Sequence, residues 1–259
     1  MARLGNDYPH DRLKDIEARG LTLGLHLVDD VPTLHDWALY EADGGRQWIN
    51  HLNSGANEAM TLEPNEIGPE HLGGRAYHIA PIPIQQQVRL VSRLKSAGRV
   101  ISLDPHEWWI VGHEAEFRSL LLDVDIFLPS QLEAQRLYGA DAPQESAREF
   151  ARWGPKIVVV KLGANGSLIY DRERNQLTHA PAYPADVRDT TGAGDAYCGG
   201  FLAGYLLTGD PIMAAQYGTV SASYVVEAIG ALATQQPSPV EAQTRLTVVA
   251  EKMKTTTLN

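Results

Sequence analysis

Hydrophobic positions follow two periods along this chain. From Leu21 to Val28 they alternate, with Leu21, Leu23, Leu25 and Leu27 on one face and Thr22, Gly24 and His26 on the other, which predicts a half-buried strand. Asp36 to Glu41 and Arg46 to Asn50 predict two more strands, joined across Asp43-Gly44-Gly45, so residues 21–50 are expected to form a small antiparallel sheet. A polar stretch rich in proline and glycine follows at 53–74. Beyond it, short apolar runs at 76–82, 99–103, 125–128 and 157–162 alternate with helical spacings at 85–97, 114–122, 132–138 and 144–153. Ser167 to Tyr170 is a further strand close behind Ile157–Leu162, across Gly163-Ala-Asn-Gly166. Three helices are predicted to close the chain, at 193–207, 211–228 and 239–253.

Strands and helices alternating at this spacing imply an α/β fold with a mostly parallel central sheet covered by helices on both faces. Ligands on such sheets bind beyond the carboxyl ends of the strands. Without internal repeats, low-complexity tracts or a long linker, residues 1–259 read as one domain with 21–50 as a β subregion.

Composition narrows the partners. A hydrophobic fraction of 44% and a charged fraction of 21% suit a soluble globular protein, and 259 residues can bury a sizeable core. The net charge of −10 argues against nucleic acid or an anionic membrane as partner. It leaves room for an anionic cofactor, because backbone N–H groups at a helix start hold phosphate without net positive charge. Cys198 is the single cysteine, so neither an internal disulfide nor a thiolate metal cluster can form. No apolar run reaches membrane-spanning length and no signal-peptide pattern opens the chain, so a cytoplasmic setting is expected.

The chemistry concentrates in Asp189-Thr-Thr-Gly-Ala-Gly-Asp195, which runs into the apolar stretch Ala196 to Leu207. Gly192, Ala193 and Gly194 are expected to begin a helix whose unpaired N–H groups and dipole favour negative charge. A carboxylate inside such a site makes sense if it stands beside a phosphoryl group and takes a proton from its attacker. The plainer reading is a glycine-rich helix start with a capping carboxylate, but seven ordered positions ahead of a late helix favour the chemical one.

This run resembles the C-terminal signature of the ribokinase-like (PfkB) family of carbohydrate and nucleoside kinases. The resemblance implies a ribokinase-like fold with a small antiparallel β lid at 21–50. It makes Asp195 the catalytic base and the Gly192, Ala193 and Gly194 amides an anion hole. Asp189 and Thr191 match positions that often help bind a monovalent cation in potassium-activated members. Lys161-Leu-Gly-Ala-Asn-Gly166 is similar to the family's strand-loop segment along the ATP phosphates, which assigns Lys161, Gly163 and Gly166 to the cofactor. A hairpin turn with Asn-Gly chemistry explains that loop equally well. Pro129-Ser-Gln-Leu-Glu133 falls where the family has Asn-x-x-Glu, so Glu133 is expected to place magnesium through water, while Ser130 stands in for the asparagine. Ala214 to Gly230, with the following Ala-Leu-Ala-Thr234, resembles the helix and loop that flank the adenine and close the cation site.

Other features carry less. His113-Glu114 lacks the second histidine of a zinc-protease helix and reads as a solvated helix start. Cys198, one turn beyond Asp195, reads as a buried small side chain. Asp104-Pro105-His106 lies at a strand end facing the expected site, with His106 a loop histidine. Gly5-Asn6-Asp7 followed by Leu13 and Gly20 is similar to the family's Gly-x-Asp segment. The core strand and the Gly-Gly-x-x-x-Asn stretch that the family places before it are not found here, so the fold reads as N-terminally incomplete. The expected activity is ATP- and magnesium-dependent phosphorylation of a sugar or polyol hydroxyl, with potassium as a further cation and a homodimer through the lid. A nucleoside kinase, for which Trp37, Tyr40 and Trp48 supply aromatic surface, and a non-catalytic nucleotide- or sugar-binding remnant are the alternatives.

Overall fold

A computed structural model describes residues 1–40, 46–50, 55–95, 99–230, 233–234 and 236–255. The turn expected at Asp43-Gly44-Gly45 and the pair Ala231-Leu232 lie outside them. The chain divides into two compact units, Met1–Gly73 and Gly74–Asn259.

The first unit contains β1 (Ala2–Gly5), α1 (His10–Glu17), β2 (Leu25–Val28), β3 (Asp36–Tyr40), β4 (Arg46–Asn50) and α2 (Asn57–Met60). β3 and β4 pair antiparallel, with Trp37 opposite Ile49. β2 does not join them. It pairs in parallel with β1, Ala2 opposite Leu25 and Gly5 opposite Val28, which corrects the expectation of one antiparallel sheet over 21–50. Local polar bonds fix this arrangement. Arg3 on β1 forms an ion pair with Glu66 at 2.9 Å, and His26 on β2 meets the Glu66 carbonyl at 3.0 Å. Gly5 passes so close to the backbone of Val31, Pro32 and Thr33 that a Cβ there would clash, and its N–H donates to Thr33 Oγ1 at 3.0 Å. Asp7 Oδ1 accepts the Thr33 N–H at 2.6 Å.

The second unit is the α/β body. In chain order it holds β5 (Ala76–Ile79), α3 (Ile84–Lys95), β6 (Val100–Leu103), α4 (Glu107–Ile110), α5 (Glu114–Leu120), β7 (Ile126–Phe127), α6 (Gln131–Tyr138), α7 (Pro143–Arg152) and β8 (Ile157–Lys161). Then come β9 (Ser167–Asp171), β10 (Gln176–Ala180), α8 (Ala193–Thr208), α9 (Pro211–Val225) and α10 (Pro239–Thr255). Six strands form one sheet in the order β10-β9-β8-β7-β6-β5. β5 to β8 run parallel, whereas β9 and β10 return antiparallel as hairpins. The alternating runs predicted the parallel part. β10 was not predicted, because Leu177 is its only large apolar residue and the strand lies at the sheet edge.

The apolar run of β8 is buried on both faces, as parallel central strands require. Ile157 and Val159 pack with Phe201, Ala214, Val220 and Val249 from α8, α9 and α10. On the next strand Phe127 meets Phe150 of α7, ring centroids 5.5 Å apart. α8 and α9 form a helical hairpin through Gly209, which is left-handed at φ 68°, and Asp210, which caps α9 by accepting from Ile212 N at 2.7 Å. Glycine lets the pair approach, since a Cβ on Gly204 would stand 2.8 Å from Tyr217 Cβ. Among the described residues, no helix is long and apolar enough to cross a membrane.

Candidate active site

All the residues described in this subsection belong to the second unit. Gly192, left-handed at φ 79°, is the N-cap of α8, so Asp195 falls in the helix's first turn, where it is solvent-exposed. The loop ahead of it is tightly bonded. Asp189 Oδ1 accepts the Thr191 N–H at 2.9 Å, and Oδ2 accepts the Gly230 N–H at 3.1 Å. Gly230, itself left-handed at φ 79°, is thereby brought beside Asp189 and Thr191. Hydrogen bonds from Thr191, and then from Gly230, hold the Asp189 carboxyl below its ordinary value. Of the three expected anion-hole amides, Ala193's donates to the Thr190 carbonyl at 3.2 Å.

Lys161 ends β8, and its ammonium reaches Asp104, the residue after β6. Nζ lies 2.8 and 2.7 Å from the two carboxylate oxygens. Cys198 of α8 completes the cluster, its Sγ donating to Asp104 Oδ2 at 3.5 Å and lying 3.7 Å from Lys161 Nζ. From α3 the buried Gln87 donates to the Asp104 carbonyl at 3.1 Å. Burial acts to lower the Lys161 ammonium, but Asp104 together with Cys198 and Glu133 outweighs it, and the lysine is held charged above its ordinary value. Burial pushes the Asp104 carboxyl above its ordinary value, a push that the Lys161 ammonium beside it partly offsets. His78 on β5 meets Ser102 Oγ through Nδ1 at 3.0 Å, while its buried Nε2 has no hydrogen-bond partner among the described residues. Burial, helped by Lys161, lowers the imidazole to about 4.

Glu133 is buried in the first turn of α6 and forms a capping box with Ser130. Its Oε2 accepts the Ser130 N–H at 2.6 Å, and Ser130 Oγ accepts the Glu133 N–H at 3.3 Å. The serine that departs from the family's asparagine is therefore the N-cap of α6. Ser130 also bridges to Lys161, whose N–H donates to the Pro129 carbonyl at 2.8 Å, so α6 begins beside the end of β8.

The Gly163–Gly166 loop is the β8–β9 hairpin, closed by Leu162 N–H to the Gly166 carbonyl at 2.7 Å. Gly166 is left-handed and backs onto the Ala180 carbonyl, so the hairpin alone accounts for it. Gly163, at φ 58°, faces open space. His106 caps α4, accepting from Trp108 N at 3.2 Å, and His113 begins α5.

The structure thus gathers Gly192, Ala193, Gly194 and Asp195 with Lys161 at one place, and Asp189, Thr191 and Gly230 at the adjoining loop. The partnership of Lys161 with Asp104 was not predicted. Its signal was two opposite charges, each closing an otherwise apolar strand.

Residues 1–239 match the family model described as pfkB family carbohydrate kinase. The chain is 31% identical over 208 residues to a cytidine kinase of Thermococcus kodakarensis, covering 79% of this chain and 72% of that protein. The solved structure of Arabidopsis thaliana ribokinase complexed with ribose and ATP superposes with a TM-score of 0.74 at 24% identity, covering 95% of this chain and 80% of that one. A candidate ribokinase II from E. coli in complex with ATP and Mg2+ superposes with a TM-score of 0.76 at 24% identity, covering 96% and 82%. These two structures share the ribokinase-like fold with this chain.

Proposed function

The chain belongs to the pfkB family of carbohydrate kinases, ATP-dependent phosphotransferases of sugar or nucleoside hydroxyls, and from that premise we propose that Asp195 is its catalytic base. Asp195 takes the proton from an acceptor hydroxyl as that oxygen attacks the γ-phosphate of ATP. The amides of Gly192 and Gly194, and that of Ala193 on leaving the Thr190 carbonyl, stabilise with the dipole of α8 the charge on the transferring group. One observation carries this reading. Gly194 stands against Lys161, the last residue of β8, so the start of α8 lies at the carboxyl end of the sheet, where ligands of such folds bind.

Lys161, Gly163, Gly166, Thr191 and Gly230 are assigned to the nucleotide. The donor set fits the expected cations, since Glu133, Asp189 and Thr191 all offer oxygen, the ligand that magnesium and potassium prefer. The capping bond of Glu133 occupies Oε2, which leaves Oε1 for a metal-bound water. Magnesium, when bound, neutralises phosphate charge, and Asp189 with Thr191 is the proposed place for a monovalent cation. The E. coli structure holding ATP and Mg2+ supports the choice of cofactors.

The acceptor is proposed to be a sugar or related polyol. A nucleoside is the second reading, favoured by the cytidine kinase with which this chain shares 31% identity. We place the protein in the cytoplasm as a homodimer. Support for the dimer comes from Trp37, Leu39 and Ile49, which occupy one face of the β3–β4 ribbon and are 63%, 47% and 49% exposed. Phosphate transfer from ATP to ribose, fructose, ketodeoxygluconate, inositol, cytidine and adenosine separates the two acceptors. Failure to phosphorylate any of them, alongside measurable ATP binding, would favour the binding remnant and sink the kinase reading.

A further inference from the structure

Lys161 and Asp104 are buried against each other, their side chains 14% and 5% exposed. A buried ion pair is a poor device for stability alone, because both charges lose their hydration and an apolar pair of similar volume often serves as well. The position of this pair suggests another use. Lys161 closes β8 and Asp104 follows β6, both at carboxyl ends of parallel strands. Lys161 Nζ lies 3.6 Å from where a Cβ on Gly194 would stand, so the ammonium sits against the first turn of α8. Cys198, one turn along that helix, contacts both charged groups.

We propose that Asp104 is a positioning residue for phosphoryl transfer, holding Lys161 as a fixed positive charge beneath the N-terminal turn of α8 where the transferred phosphoryl group binds. The inference rests on the kinase reading above. A charge fixed in advance stabilises the developing phosphoryl charge without reorganising during the reaction. The ionisable groups around Lys161 suit that role. Asp104 faces it from the end of β6, Glu133 from α6, Cys198 from α8 and His78 from β5, while Asp195 of α8 acts on Asp104. His78 is neutral near pH 7 and adds no second positive charge.

Three variants test the proposal: Lys161→Met, Asp104→Asn and the two combined. The combined variant is expected to recover thermal stability relative to Asp104→Asn, because no buried charge is left unpaired. It should still turn over at least about tenfold more slowly than the parent, as slowly as Lys161→Met. In Asp104→Asn alone, turnover should fall as pH rises over about 6 to 9, because a buried lysine without its carboxylate gives up its proton. Binding supplies a readout independent of turnover. Lys161→Met should weaken a non-hydrolysable ATP analogue about tenfold and leave ADP unchanged. Parent-like turnover in the combined variant would reduce the pair to a structural element, and equal weakening of the analogue and ADP would remove Lys161 from the transferred phosphate. A parent protein that phosphorylates no acceptor would count against the kinase reading, while the binding comparison still decides the role of Lys161.

Discussion

Lys161 Nζ lies 3.6 Å from the point where a Cβ on Gly194 would stand, and Gly194 is not in the left-handed region, so the protein itself has room for alanine there. Gly194→Ala should leave stability unchanged or raise it by about 0.5–1 kcal/mol, as glycine replacement in a helix does. Turnover should drop at least about tenfold, because the methyl group intrudes on the proposed phosphate position. Denaturation and kinetics on one preparation check this, and full activity would remove Gly194 from the anion hole. Gly192 differs, since its φ of 79° makes any side chain strained whatever the space.

Asp195→Asn should cost at least about a hundredfold in turnover, the ordinary worth of a general base, with ATP affinity nearly preserved. The change keeps the size of the side chain and its exposed place in the first turn of α8. Calorimetric ATP titration beside a phosphorylation assay separates the effects. Near-normal rates would require another base.

His78 predicts a pH dependence of stability. The native imidazole is lowered to about 4 by burial and Lys161, against an ordinary value of 6.5. Between those values the unfolded chain binds more protons, so stability rises with pH across that window and is lost as pH falls through it. The full effect is about 3 kcal/mol. His78→Gln should flatten this part of the profile in urea unfolding from pH 7 to pH 4. An unchanged slope would assign the acid sensitivity to other groups.

The Trp37, Leu39 and Ile49 face predicts self-association. Trp37→Glu combined with Ile49→Lys should shift the sedimenting species from dimer to monomer without unfolding the α/β body. A parent protein that is already monomeric at assay concentration would exclude the dimer.

The α/β body was largely legible in the sequence because the strands between residues 76 and 162 are isolated short runs, apolar and buried on both faces in the interior strands β6 to β8, while the edge strand β5 buries only Ile79. Leu21–Val28 shows the limit. Of the strand it predicted only the second half, Leu25–Val28, forms; alternation also names no partner, and the partner proved to be β1, more than twenty residues earlier in the chain. Nor did the alternation mark a core, since Leu21 and Leu27 are 57% and 61% exposed. In the candidate site, the start of α8 was readable because its glycines and aspartate are contiguous. The Asp104–Lys161 pair was not, because its members lie 57 positions apart and meet only through the sheet. Ser130 read only as a stand-in for the family's asparagine, whereas a hydroxyl at a helix start has its own use as a cap.

The antiparallel strands and the α8–α9 hairpin, all joined to near neighbours in sequence, also set an order of folding. Residues 157–225 can close β8, β9 and β10, then α8 on α9, through short loops, while β5 to β8 must wait for helical crossovers. Amides of Val160, which faces Leu168 of β9, and Ile169, which faces Thr178 of β10, should therefore gain protection in pulse-labelled hydrogen exchange before those of Ile101 and Phe127. Protection in the reverse order would mean that the parallel half nucleates the body. On this reading the segment that carries the phosphoryl-transfer residues of α8 is also the one on which the rest of the sheet assembles.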